Sequence, residues 1–377
     1  MTLKKLKLNH YINYIVIGLL TVVLGAMSIT GVRFDNSMLF LLEKVAISII
    51  LAVSLSLVVG FLGELSLGHA GFMCVGAYLG GKVSALLVPT MGNGIVAFLI
   101  ALVVGCAAAA ICGIIVGIPA LRLRGDYLAI VTLAFGEIVK SLFQNTSDES
   151  FGGTLGLDTP RYDKKYLFII AFVLVLITLA VVQNYIRSKH GRAVTAIRDN
   201  EIAARATGIN VTKYKLLTFT LSAALAGMAG VLFSYSNYKI QSIKFGYNYS
   251  IEILVMVVLG GMGNINGSII AAALITWLNS WLPTKLTGDL AVLQNLLYAL
   301  VLIVIVIYNN APKLKWFRDT YNLGNLLAKF RKPHDASHIK DDKAKWDVVP
   351  TKISMDEVLS VDFTPQNLGP DRKGGQK

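Results

Sequence analysis

Few side chains in this sequence have the type and spacing to do covalent chemistry. His69 stands alone, with no second His, Cys or carboxylate at metal-ligand spacing. A hydrogen-bonded structural imidazole is therefore the expected role, and neither a metal nor another cofactor is expected. Cys74, Cys106 and Cys112 all sit in apolar runs and read as small packing residues rather than disulfide partners. GAYLGGKV (76–83) nearly matches a phosphate-binding loop, but Val83 stands where the magnesium-binding hydroxyl belongs and no strand precedes it. No nucleotide site is expected, so any ATP-driven work needs another subunit. Glu137 and Lys140, three apart in a helical run, share a face and lower each other's cost at membrane depth. Glu43, Glu64 and Glu252 lie near segment ends and are expected at the interface. No catalytic residue is assigned.

The elements that must position these groups are membrane spans. Of the 377 residues, 55% are apolar and 15% charged, too few charges to cover a soluble protein of this length. Apolar runs lie at 11–30, 45–62, 66–88, 95–118, 127–144, 166–185, 216–236, 251–262, 268–282 and 290–308. A full span needs about 20 residues. Several runs are shorter and broken by glycine, so the expectation is an all-α polytopic bundle of about 8–10 helices, some of them half-helices. The net charge of +13 flanks the spans, which points to the positive-inside rule and not to nucleic acid. Arg122 and Arg124 mark one inside loop. The loop 186–215 carries Arg187, Lys189, Arg192, Arg198, Arg205, Lys213 and Lys215 against Asp199 and Glu201. Both termini are expected in the cytoplasm. Residues 1–308 form the membrane domain and 309–377 a polar tail with 13 basic and 9 acidic residues. The tail begins with a possible amphipathic helix at 313–331 on the inner leaflet lipid, and its remainder reads as disordered.

Two features go beyond spanning. In GRAVTAIRDNEIAARATGIN (191–210), Ala193, Ala196 and Ile197, then Ile202, Ala203 and Ala206, recur near one side at helical spacing. Asp199 or Asn200 can cap a second short helix and Gly208 can end it left-handed. Such a pair is either a docking surface for a cytoplasmic partner or a surface linker. The second feature is a pair of glycine-rich breaks, GFLGELSLGHAGFMCVGAY (60–78) and VVLGGMGNINGS (257–268). Paired breaks in two halves of a transporter point to a substrate path, while the bland reading is close helix packing. Gly76–Gly80 and Gly113–Gly117 read as packing alone.

Five runs carry a resemblance: LSLVVGFLGELSLGHAGF (55–72), LRLRGDYLAIVTLAFGEIV (121–139), GGTLGL (152–157), the stretch 191–234 and VLGGMGNINGSIIAAAL (258–274). Across most of 50–280 the chain resembles the M-type permease subunit of bacterial branched-chain amino acid ABC importers. The resemblance implies a fold like that of vitamin B12-importer permeases and a place in the bacterial inner membrane. It implies as partners a second homologous permease, two ATPase subunits and an extracytoplasmic substrate-binding protein. It makes 191–210 the ATPase-coupling helices, with Arg192, Ala193, Ile197, Arg198, Asp199, Asn200, Glu201, Ile202, Ala203, Ala204, Arg205 and Gly208 at the contact. Glu201, Ala203, Ala204 and Gly208 resemble the EAA-and-glycine docking signature, with one extra residue after Glu201. The path would run past Gly63, Ser66, Leu67, Gly68 and His69 and past Gly260, Gly261, Gly263, Asn264 and Gly267. Leucine, isoleucine and valine are the implied substrates. Urea or amides carried by a related permease, and a stand-alone ion-coupled transporter using Glu137 and Lys140, are the alternatives.

Overall fold

The computed structural model describes residues 35–91, 94–122, 126–160 and 164–285, together with 14, 17, 18, 21, 300 and 303. The chain divides into two compact units, Met1–Asn309 and Asn310–Lys377, and every described residue belongs to the first. Most of the last apolar run, most of the first, Arg124 and the tail helix at 313–331 lie outside the described residues.

Helix α1 (Asn36–Ser56) runs into a π-helical turn, Leu57–Leu62. After it come α2 (His69–Met91), α3 (Ile95–Ala120), α4 (Asp126–Gln144) and the single turn α5 (Asp148–Phe151). Strand β1 (Leu157–Asp158) precedes α6 (Lys164–Arg187), the short helices α7 (Lys189–Asp199) and α8 (Glu201–Ala206), and the long α9 (Val211–Ser236). Strand β2 (Lys239–Ile240), a 3₁₀ turn (Ser242–Phe245), α10 (Tyr247–Gly260) and α11 (Ile265–Lys285) complete the described chain. Seven of these helices are long and apolar enough to cross a membrane, and the fourteen-residue α10 is a shorter apolar helix. The chain is thus an all-α multi-pass membrane protein. Among the described residues its one departure is an antiparallel clip in which Leu157 opposes Ile240 and Asp158 opposes Lys239.

Helix α9 is the hub, packed against α1, α2 and α3, and α1 is lined in turn by α6, α10 and α11. Lipid tails are as apolar as leucine, so helices in a membrane associate through close packing rather than hydrophobic burial. Here the crossings rest on glycine. A methyl on Gly76 would come within 2.3 Å of the Gly227 carbonyl oxygen, and one on Gly230 within 2.1 Å of the Met73 carbonyl oxygen. Gly113 and Gly117 likewise face Ala223, Leu216 and Phe219 of α9. Backbone cannot yield as a side chain does, so Gly76→Ala is expected to force α2 from α9 at about 2–3 kcal/mol. Thermal unfolding in detergent reads this, and an unchanged midpoint would refute it.

Glu43 departs from expectation. It is fully buried between α1 and α9, where the Ser236 hydroxyl donates to its carboxylate.

Candidate functional site

The short helices after α6 are set by a relay of caps. Ser188 Oγ accepts from the backbone N–H groups of His190 (3.1 Å) and Gly191 (3.4 Å) and starts α7. Asn200 is extended (φ −158°, ψ 105°), ends α7, and accepts from Ala203 N–H at 3.0 Å to start α8. Gly208 follows at φ 86°, and Asn210 accepts from Lys213 N–H at 3.1 Å to start α9. The extended residue also breaks the helical phase, and this corrects the expected apolar face. Ala193 and Ile197 are buried against the protein itself, whereas Ile202, Ala203 and Ala206 are exposed and Ala204 turns inward. Ala193 and Ile197 therefore offer no free surface to a partner. Ile202, 77% exposed, does.

The two glycine breaks, about 200 residues apart in sequence, lie in backbone contact. A methyl on Gly60 would sit 2.5 Å from the Gly263 nitrogen; within the second break itself, one on Gly267 would come 1.8 Å from the Gly260 oxygen. Gly261 (φ 89°) and Gly263 (φ 82°) make the turn between α10 and α11 in backbone regions that side chains rarely adopt. Asn264 Oδ1 accepts from Gly267 N–H at 3.3 Å and starts α11. Arg198 of α7 reaches this junction: its Nη1 donates to the Gly60 carbonyl at 3.0 Å, and its stem lies over Gly63, where a methyl would come within 2.6 Å of Cγ. Its Nε and Nη2 bind Asp199 Oδ1 at 3.2 and 3.1 Å.

An ionic relay runs beside it. Lys215, in the second turn of α9, pairs with Glu64 of the first break and, at 3.2 Å, with Glu201 of α8. Glu201 binds Arg205 at 2.8 Å through its other oxygen. Burial pushes the Glu64 carboxyl above the usual carboxylate range, against the opposing pull of the Lys215 ammonium. Glu64, just past the end of a span, is thus an internal strut. Two of the three arginines expected at a partner surface, Arg198 and Arg205, are engaged within the protein. Arg192 is exposed, with Nη1 on the Arg187 carbonyl at 3.3 Å.

The rest of the first break is equally tied. Leu67 N–H donates to Thr132 Oγ1 at 3.0 Å, and Gly68 lies against the Thr132 carbonyl. His69 is buried with Nε2 2.7 Å from Ser54 Oγ; the Ser54 hydroxyl is 2.9 Å from the Leu51 carbonyl, so Nε2 carries the ring proton in that arrangement. Ser66 is buried, its hydroxyl without a hydrogen-bond partner among the described residues. The Glu137–Lys140 pair forms at 2.5 Å, and Glu137 also accepts from Tyr247 N–H at 2.8 Å. Residues 76–83 lie inside α2, with none of the loop that a phosphate site requires. Sequence reasoning missed Lys215 and Thr132 as struts. A lysine inside an apolar helix is the signal that marks the first; nothing local marks the second.

The arrangement ties a capped pair of surface helices to the first break in the spans, which in turn abuts the second. The family model described as branched-chain amino acid transport system / permease component matches residues 37–306. The chain is 38% identical over 260 residues to the high-affinity branched-chain amino acid transport system permease protein LivM of Salmonella typhimurium, covering 61% of this chain and 60% of that protein. It is 34% identical over 314 residues to LivM of Escherichia coli, covering 75% and 71%. It is 28% identical over 299 residues to the ribose import permease protein RbsC of Escherichia coli, covering 73% and 86%. No solved structure matches.

Proposed function

The chain belongs to the family described as branched-chain amino acid transport system / permease component, and on that premise we propose that it is a permease subunit of an ATP-driven importer of leucine, isoleucine and valine. It works in the bacterial cytoplasmic membrane with both termini inside. Its partners are a second homologous permease, two ATPase subunits and an extracytoplasmic binding protein, and its fold is of the vitamin B12-importer type. The substrate reading is supported by the printed names of the two LivM relatives, of which this chain spans 60% and 71%.

The observation that carries the reading is the α7–α8 pair. It shows Ile202 to solvent and is bound to the first break, which abuts the second at Gly60 and Gly263, by Arg198 and by the Glu64–Lys215–Glu201 relay. ATP binding closes the ATPase pair, the docked helices move as a unit, and these struts carry the displacement to the junction of Gly60 and Gly263. ATP drives import only so far as its binding favours one permease state over the other. The path passes Gly63, Ser66, Leu67, Gly68 and His69 on one side and Gly260, Gly261, Gly263, Asn264 and Gly267 on the other. Chemistry on ATP belongs to the partners, and this chain contributes no catalytic group.

Co-purification of the tagged full chain from its native membrane tests the reading. A second permease and ATPase subunits are expected with it, and the reconstituted complex should take up leucine only with ATP and the binding protein. A chain that emerges alone after mild crosslinking, or that moves solute without ATP, overturns the reading.

A further inference from the structure

A cavity of about 460 Å³ opens among α1, α9, the 3₁₀ turn, α10 and α11. It lies well away from the breaks: at 1.5 Å per residue, Lys44 stands about 24 Å of helix from Gly60 and Glu252 about 12 Å from Gly260. Its lining is unusual for a membrane helix crossing. Lys44, Lys244 and Glu252 all line it, and Lys44 lies within electrostatic reach of both the others. Among the described residues none of the three has an ion-pair partner. Asn279 Nδ2 donates to Glu252 Oε1 at 2.6 Å and fixes the carboxylate, leaving Oε2 without a partner among the described residues. The Thr276 hydroxyl, on a residue only 6% exposed, lines the cavity and also lacks a partner there. Phe40, Phe233 and Phe245 supply the apolar wall.

Charges that line a cavity between apolar helices are costly unless they meet a countercharge, a wet space or a ligand. Two cations and one held carboxylate around an aromatic wall fit one class of molecule well. A free α-amino acid carries a carboxylate, an ammonium and a side chain on one carbon. We infer that this cavity is a transit site for a zwitterionic α-amino acid. Lys44 and Lys244 take the carboxylate, Glu252 Oε2 takes the ammonium, and the phenylalanines cover an aliphatic side chain. The volume lies within the range of small-molecule sites, about 300–1,000 Å³. The inference rests on the importer reading for its substrate class and deepens it, because it puts recognition in the permease at a place separate from the glycine breaks.

Saturation-transfer NMR on the detergent-solubilised full chain, with whatever partners co-purify, tests it with leucine as probe. Leucine should give a signal that valine displaces. Isopentylamine and 4-methylpentanoate, each lacking one charge, should compete about tenfold less well, the scale of one charge-assisted hydrogen bond. Glu252→Gln keeps the shape of the side chain, and Lys244→Gln alters an exposed residue. Each is expected to weaken leucine binding about tenfold, and Glu252→Gln to abolish the preference for leucine over 4-methylpentanoate. A variant that fails to elute as the parent does is replaced by Lys44→Met. Absence of a leucine signal in the parent, or leucine binding within twofold of the parent in the variants, overturns the site. ATP-driven uptake by the parent complex decides the importer reading separately. Binding here without uptake leaves the site and removes the importer. Uptake with leucine binding unmoved in the variants leaves the importer and removes the site.

Discussion

Replacing Lys215 by methionine is expected to destabilise the protein by about 3 kcal/mol, the lower end for removing one partner of a buried ion pair. The side chains of Lys215 and Glu64 are 8% and 16% exposed, so water does not substitute for the lost ammonium. Glu64 Oε2 already lacks a hydrogen-bond partner, so the lysine is what holds this carboxylate in the ionised form. Burial already places the Glu64 carboxyl above its usual range. Without Lys215 it rises further, and the folded variant binds a proton that the unfolded chain releases at the same pH. A raised carboxyl pKa means that stability is lost as pH rises through it and regained as pH falls. The variant should therefore unfold at a temperature nearer the parent's at pH 5.5 than at pH 8. Glu64→Gln in the same chain should recover most of the loss, because the uncompensated charge is then gone. Glu201 feels the change less, since it keeps Arg205. Equal destabilisation at both pH values, or no rescue by the second change, would show that Lys215 acts by packing alone.

The spans were legible because hydropathy is a local property. The eight middle runs read from sequence coincide with the seven long helices and α10. The break and the stop were legible for the same reason: Asp199 or Asn200 and then Gly208 announce them by residue type, and the structure selects Asn200 as the cap. What stayed hidden was non-local. Nothing in residues 60–63 says that Gly263 will lie against them, because a glycine that relieves strain and a glycine that admits a neighbouring backbone look alike in one dimension. Arg198 stands in a basic loop, and its type says nothing of an internal acceptor. Its destination, the Gly60 carbonyl, depends on where the π-helical turn ends. The exposed face of α8 does not follow from a 3.6-residue count begun in α7, because the extended backbone of Asn200 resets the phase. Glu252 and Lys44 are 208 positions apart, and only the packing of α1 against α10 makes them one cavity.

Ile202→Asp is expected to cut ATP-driven uptake at least tenfold while leaving the fold intact. The residue is 77% exposed, so its replacement removes no internal packing. Burying an isoleucine against a partner is worth about 2 kcal/mol, and an aspartate in the same place adds desolvation on top. Roughly 3 kcal/mol corresponds to more than a hundredfold weaker docking at one of two such sites. The ATPase subunits should then co-purify in reduced amount. Arg198→Ala makes the useful contrast, because its guanidinium donates to the Gly60 carbonyl of the first break. The ATPases should still co-purify with that variant and still hydrolyse ATP, while uptake falls. A helix that docks but is no longer tied to the junction moves without carrying the breaks with it. The two variants thus separate holding the motor from transmitting its motion. If Ile202→Asp transports as the parent does, the α7–α8 pair is a linker and the motor docks elsewhere. If Arg198→Ala loses the ATPases as well, the arginine only holds α7 in place, and transmission must run through Lys215.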